Sequence, residues 1–379
     1  MDITITGAVI VRNEERCIKR CVDSMIAIFD EIIIVDTGSF DNTLNILNSY
    51  LSDKVKIFNT KWEDDFSKPR NIAIHEASCE YIFFVDADEY ISSSKSEVIS
   101  AFTDISRHAQ KNKLALCPNI KDHDSNISRS VRRGFINNND FYYFGYVHEE
   151  LRNYNSEISD LNIKIDIIHD GYLLEVIEEK GKVKRNEILN LKNINIEPLY
   201  LRWRFFYYRD SFECIPAEEI YNTLSTLIKI NGNLPLQISN LKSDQYIFPI
   251  LDLMARAKLK LLDDENEFKC IIIMMNEMIP DNSNAFYYSM IYDIFKWKGS
   301  AKKKIIDIVK YKEMESYNNI DMLHSEGLHI DATLSFYMYE IGMIANAKKL
   351  LLSVKSSGFN TSLIDNYLNL MSYKDNEHE

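Results

Sequence analysis

The chain has few residues that loosen a backbone, with 11 glycines and 7 prolines among 379 residues. That scarcity excludes long flexible linkers and low-complexity segments. No apolar run reaches the roughly 18 residues that a membrane span needs. No signal peptide precedes the first strand, so we expect no membrane span and a cytoplasmic location. Positive charge is in the minority, since 44 Lys and Arg stand against 57 Asp and Glu, a formal net charge of −13. A nucleic-acid partner, which wants a basic face, is therefore not expected. An acidic surface does suit a cationic peptide. Cys17, Cys21, Cys79, Cys117, Cys214 and Cys270 are scattered, and the one close pair is a helical turn apart. Neither a zinc site nor a disulfide framework follows from such spacing. GxGxxG and GxxxxGK[ST] are both missing, which removes support from dinucleotide and P-loop readings.

What is present is an ordinary globular composition, 46% hydrophobic and 27% charged, with length for two or three domains. The first half alternates apolar strands with helical patterns. Ile3–Val11 reads as a strand, followed by a helix carrying Cys17, Ile18, Cys21, Val22, Met25 and Ile26. Glu31–Val35, Val55–Phe58 and Phe83–Val85 read as further strands, with helices after Thr43 and Pro69. Strands apolar on both faces belong inside a sheet covered by helices, so the pattern predicts a mostly parallel α/β sheet.

These strands end in acids. Glu14 follows the first, Asp36 closes the second, and Asp86, Asp88 and Glu89 close the fourth. The carboxyl ends of an open α/β sheet are where ligands bind, so the acids should converge along one rim. In an extended segment Asp86 and Asp88 would point the same way and share one target. Two such carboxylates repel unless a cation lies between them. A divalent ion carrying a phosphorylated ligand supplies that cation. A strand-end turn with merely solvated acids is the competing reading. Near the rim lie Ser39, Thr43 and Arg70. Asp36 could accept hydrogen bonds from a uracil or ribose edge, and Arg70 could hold a pyrophosphate. Farther on, Leu114–Pro118 and Ile163–Ile168 read as strands, and the aromatic run Phe141–Tyr146 as a packed strand or hairpin presenting His148 and Glu149. A histidine beside a glutamate is a candidate base with a group to orient it, or else a structural histidine. His169, at the end of the last strand, is a candidate metal ligand.

After about Tyr172 the pattern becomes amphipathic helices: Trp203–Tyr208 with Ala217–Ile230, then Ile247–Leu262, Phe268–Met278, Ala285–Trp297 and Leu334–Val354. Their spacing, near 34 residues per pair, suggests tetratricopeptide-like stacking. Such a half offers surface for a peptide or for a homodimer.

Val9-Ile10-Val11-Arg12-Asn13-Glu14, Asp36-Thr37-Gly38-Ser39-Phe40-Asp41-Asn42-Thr43 and Asp86-Ala87-Asp88 resemble the blocks of family 2 glycosyltransferases with the GT-A fold. Further blocks are Trp62…Asp65-Phe66-Ser67…Arg70-Asn71, Gly145-Tyr146-Val147-His148-Glu149-Glu150 and His169-Asp170-Gly171-Tyr172. With these the chain resembles the subgroup that carries a C-terminal tetratricopeptide-like domain. Within it the chain is most similar to the glycocin (sublancin-type) peptide S-glycosyltransferases. The resemblance implies a GT-A domain over 1–190 and an all-α tetratricopeptide-like domain over 191–379. It implies that Val11, Asn13, Glu14, Asp36, Ser39 and Asp65 line the base and ribose, that Arg70 faces the pyrophosphate, and that Asp86 reaches the ribose or the cation. Asp88 would ligate Mg²⁺ or Mn²⁺, and His169 would be a late metal or phosphate contact. Where family members place an acidic Glu-Asp pair as base, this chain has His148-Glu149. The implied reaction is metal-dependent, inverting transfer of a hexose from a UDP-sugar, UDP-glucose in the first instance. The acceptor would be a Cys (or Ser/Thr) side chain of a bacteriocin precursor peptide. Two alternatives are a cell-envelope glycan as acceptor and a non-catalytic helical-repeat scaffold.

Overall fold

A computed structural model describes residues 3–122, 127–169, 182–313, 323–324 and 326–375. The chain divides into two compact units, Met1–Cys214 and Ile215–Glu379. Among the described residues no helix is long and apolar enough to cross a membrane.

The first unit is built on a mixed sheet. Its strands are β1 (Ile5–Val11), β2 (Glu31–Asp36), β3 (Val55–Asn59), β4 (Tyr81–Phe84), β5 (Glu89–Ile91), β6 (Leu114–Asp122), β7 (Ile127–Ser128), β8 (Gly134–Ile136) and β11 (Ser159–His169). The order is β3-β2-β1-β4-β8-β6-β11-β5, with β7 beside β6. The block β3-β2-β1-β4 is parallel, as the continuously apolar strands predict. Beyond β4 the sheet changes character, because β8 runs antiparallel to both β4 and β6. Side chains alternate between two cores. Val9, Ile32, Ile34 and Phe83 pack with α1 (Ile18–Ile26) and α4 (Lys95–Ser106). Ala8, Ile33, Ile82 and Phe84 pack with α3 (Ser67–Glu76) and with β9 (Phe141–Phe144) and β10 (Glu150–Asn153). The last two form an antiparallel hairpin. α2 (Thr43–Asn48) follows β2.

Two helices complete this unit, α5 (Lys182–Ile196) and α6 (Leu201–Asp210). Residue 190 lies within α5. Trp203 on α6 is fully buried, and it fixes the turn at Gly145, where φ is +110° and a Cβ would meet the indole at 2.7 Å. Only glycine fits both conditions. Asn193 on α5 clamps the same turn, accepting from the Tyr146 amide at 2.7 Å and donating to the Val147 carbonyl at 2.9 Å.

The second unit is helical: α7 (Ala217–Leu227), α8 (Ile247–Leu261), α9 (Glu265–Met278), α10 (Ser283–Lys312), α11 (Leu328–Glu340), α12 (Ile344–Ser356) and α13 (Ser362–Asp375). Each helix packs on the next, from α7 on α8 to α12 on α13. The expected single run Leu334–Val354 is two helices, broken where Gly342 takes φ +91°. That left-handed residue ends a helix in the usual way.

Candidate active site

Register sets the rim. Val11 pairs with Asp36 across β1 and β2, and Ala8 pairs with both Ile33 and Phe84, so the ends of β2, β1 and β4 lie side by side. The loops after β1 and β2 are stitched together. The Asn13 amide donates to Ser39 Oγ at 2.9 Å, Asn13 Oδ1 accepts from the Phe40 amide at 2.9 Å, and the Glu14 amide donates to Thr43 Oγ1 at 2.8 Å. Asn13 adopts φ +55°, a conformation that Asn tolerates better than most residues. Asn13 and Ser39 thus hold the rim's shape, and Glu14 Oε2 accepts from the Cys17 thiol at 3.3 Å.

Asp36 is buried. One carboxylate oxygen accepts from the amides of Gly38 and Ser39 at 2.8 and 2.9 Å. The other, Oδ2, is buried with no hydrogen-bond partner, and an unpartnered buried acceptor is costly unless a ligand donor reaches it. Asp65 is spent differently: its Oδ1 accepts from the Ser67 amide and hydroxyl at 2.9 and 2.7 Å, opening α3. Between the segment after β3 and α3 lies a cleft of about 490 Å³ lined by Thr37, Lys61, Trp62, Asp65, Lys68 and Asn71.

Asp86 and Asp88 do not share a target. The chain turns at this point, with the Glu89 amide donating to the Asp86 carbonyl at 2.9 Å, so the extended geometry expected for the pair is absent. Asp86 is gripped by Arg70 Nη2 at 3.0 Å and Arg133 Nη2 at 2.6 Å. Arg133 also pairs with Glu89 at 2.6 Å, and Arg70 Nε with Glu149 at 2.5 Å. The Arg70 guanidinium packs against the rings of Phe84 and Tyr143, 5.3 and 5.1 Å from their centroids. Burial opposes the charge on Asp86, but the two guanidiniums prevail and hold it far below the usual carboxylate range. Burial, with the Asp86 charge adding to it, pushes Glu89 up to about 7.

Asp88 faces His169, with Oδ2 and Nε2 3.5 Å apart. Register explains the meeting: His169 pairs with Glu89 across β11 and β5, and with Asp122 across β11 and β6. Asp122 Oδ1 takes the other ring nitrogen, Nδ1, at 3.1 Å. Burial opposes protonation of His169, but the hydrogen bond and charge of Asp88, the charge of Glu89 and the hydrogen bond of Asp122 outweigh it and raise it to about 9. A carboxylate behind an imidazole, fixing which nitrogen points forward, is the usual arrangement around a metal-binding histidine. Neighbouring donors of a six-coordinate ion stand about 3.0 Å apart, close to the separation seen here, so Asp88 and His169 fit a divalent ion. Among the described residues no group of three or more His, Cys, Asp or Glu is arranged to hold a metal by itself. Asp170, Gly171 and Tyr172 lie outside the described residues.

The hairpin presents His148 and Glu149 in different states. Glu149 is committed to Arg70. His148 has φ +52° and stacks on Phe206, with centroids 4.1 Å apart and 11° between planes. Its Nε2 lies 2.6 Å from Asp210 Oδ2 on α6. Burial lowers the imidazole's pKa despite that carboxylate. Asp210 also accepts from Asn186 and Asn190 at 3.2 and 3.3 Å. Burial works against its charge, yet the bonds from His148 and Arg209 hold it at about 2.

Arg133, Asp122 and Asp210 were not foreseen from the sequence. Arg133 carried a usable signal, because a rim of buried acids requires a buried cation and Arg132-Arg133 precede a glycine and an apolar segment. Asp210 carried none, since its meeting with His148 depends on how α6 packs.

Residues 8–161 match the model of the family described as Glycosyl transferase family 2. The chain is 33% identical over 208 residues to the SPbeta prophage-derived glycosyltransferase SunS of Bacillus subtilis (strain 168), covering 55% of this chain and 49% of SunS. The chain thus spans about half the length of that relative. It is 42% identical over 91 residues to the poly(ribitol-phosphate) beta-glucosyltransferase of Bacillus spizizenii, covering 22% of this chain and 14% of that protein. Among solved structures, S. aureus TarS aligns with a TM-score of 0.38 at 14% identity, covering 72% of this chain and 55% of that one.

Proposed function

From the premise that residues 8–161 form a family 2 glycosyltransferase domain, we propose that this chain transfers a sugar from a UDP-sugar to a peptide side chain. The observation that carries the reading is the division of labour along the rim. Asp36 keeps a buried, unpartnered oxygen at the end of β2. Asp88, just before β5, and His169, closing β11, face each other, and Asp86 is neutralised by arginines. A nucleoside placed at the end of β2 donates to Asp36 Oδ2, with the walls of the neighbouring cleft beside it. The diphosphate then extends toward Asp88 and His169.

Asp88 and His169 would hold a Mn²⁺ or Mg²⁺ ion. An imidazole among the donors favours Mn²⁺, since carboxylate and water suit both ions but nitrogen suits the transition metal. When bound, such an ion neutralises charge on the departing UDP. Asp122 keeps His169 Nε2 pointed at Asp88. Asp86, with both oxygens on guanidiniums, anchors the turn that carries Asp88 rather than reaching for the ribose. His148 is the better base of the hairpin pair: Glu149 is tied to Arg70, whereas His148 is held neutral by burial and has one ring nitrogen on Asp210. A cysteine acceptor needs this base little, since a few per cent is already thiolate near neutral pH. Attack from the face opposite the leaving UDP inverts the anomeric centre.

SunS, 33% identical over 208 residues, supports the glycosyltransferase reading, and the resemblance of the motif blocks to sublancin-type enzymes favours a bacteriocin precursor peptide as the acceptor, with the cysteine side chain taking the sugar. The likeness to a poly(ribitol-phosphate) beta-glucosyltransferase favours, as a second reading, the same domain acting on a cell-envelope polymer. Mass spectrometry of a cysteine-bearing precursor peptide incubated with the full chain, Mn²⁺ and UDP-glucose or other UDP-sugars separates the two. A hexose on the cysteine supports the peptide reading, while transfer only to a polyol-phosphate polymer replaces it.

A further inference from the structure

The cations around the rim are of two kinds. Arg70 and Arg133 are enclosed by carboxylates: Asp86 and Glu149 for the first, Asp86 and Glu89 for the second. The Arg70 side chain is only 10% exposed. A pyrophosphate arriving there would have to displace bonds already made. Arg12 and Arg185 differ. Among the described residues neither has a carboxylate within ion-pair distance.

These two arginines share one aromatic ledge. Arg12, directly after β1, has its guanidinium 6.0 Å from the centre of the Trp62 ring. Trp62 meets Phe66 edge-on, with centroids 4.7 Å apart. Arg185, on α5, lies over the Phe66 ring at 5.1 Å. Its hydrogen bonds go to a neutral acceptor, Asn186 Oδ1, at 3.2 and 3.0 Å. Burial lowers the Arg185 pKa and the positive charge of Arg12 adds to that. Glu149 and Asp210, the acids whose charges pull the other way, are bonded to Arg70 and to His148. Two like charges on one ledge, one of them half-buried, repel until an anion joins them. A planar guanidinium pinned on an aromatic face is pre-oriented to present its N–H fork to phosphate oxygens.

We propose that Arg12 and Arg185 form a phosphate clamp across the Trp62–Phe66 ledge that takes the diphosphate of the nucleotide donor. The clamp rests on the donor proposed above and assigns the diphosphate contact to Arg12 and Arg185 instead of Arg70. α5 thereby contributes to the donor site a residue that the sheet and its loops do not supply.

Calorimetric titration of UDP, UMP and uridine into the full chain with Mn²⁺ tests this, comparing the unmodified protein with Arg12→Gln, Arg185→Gln and Arg185→Lys. Either Gln variant should weaken UDP about tenfold or more, the scale of one lost charge-assisted hydrogen bond. Uridine affinity should stay unchanged, and Arg185→Lys should fall between. The salt dependence of UDP binding should become shallower in the Gln variants. UDP affinity within about twofold of the unmodified protein in both Gln variants would overturn the clamp and leave the donor reading intact. Equal losses for UDP and uridine would also overturn it, since they would mark a structural role. Arg12 is exposed, so Arg12→Gln stays informative if Arg185→Gln fails to fold. No UDP binding by the unmodified protein would overturn the donor reading and the clamp together.

Discussion

Asp86 and Asp88 stand two positions apart and meet opposite fates, one locked between guanidiniums and the other facing a histidine. The difference is a turn. Had the segment stayed extended, both carboxylates would face one centre. The turn instead sends Asp86 onto two buried arginines, and Arg133 joins it to Glu89. Removing one partner of such a buried network leaves uncompensated charge, so Arg133→Ala should lose about 3–5 kcal/mol of stability in urea unfolding. A loss below about 1 kcal/mol, the size of a surface ion pair, would mean that the network is effectively hydrated. His148 and Asp210 give a pH dependence. The Asp210 carboxyl is held at about 2 against its ordinary 3.8. A folded value below the unfolded one stabilises the protein above the unfolded pKa and is lost as pH falls through the folded one. The stability gap between the unmodified protein and Asp210→Asn should be full at neutral pH and close between about pH 4 and pH 2. A gap constant over that range would contradict the assignment.

Among elements, the β9–β10 hairpin is the one whose position decides the site. It is held from both sides, by Trp203 against Gly145 and by Asn193 on the backbone of the same turn. Gly145→Ala adds a Cβ 2.7 Å from the indole at a φ of +110°, a strain of about 1–3 kcal/mol from the backbone alone. We expect a lower melting temperature and, because Glu149 and His148 follow directly, a larger loss of turnover than of UDP binding. Equal losses would place the hairpin outside the chemistry. At this scale the sequence was legible where burial is continuous. β1, β2, β3 and β4 announce themselves as apolar runs, and α1 by its helical spacing. It was not legible where partners are distant. Nothing local in Gly134–Ile136 says that β8 runs antiparallel between β4 and β6, and only the φ of Gly342 separates α11 from α12. The rim acids could be read because each ends an apolar strand, whereas Asp122 and Asp210 reach their histidines only through register and helix packing.

In the whole molecule, a sheet with its acids on one edge makes up the first unit and stacked helices the second. The candidate site lies entirely within the first unit, and the proposed donor chemistry belongs to that unit. The most direct measurement is release of UDP from UDP-glucose by the full chain with Mn²⁺ present, compared with Asp88→Ala. The unmodified protein should release UDP only with the divalent ion, and Asp88→Ala should lower the rate at least about a hundredfold, with its fold retained by circular dichroism. Release by Asp88→Ala at the unmodified rate would contradict the account.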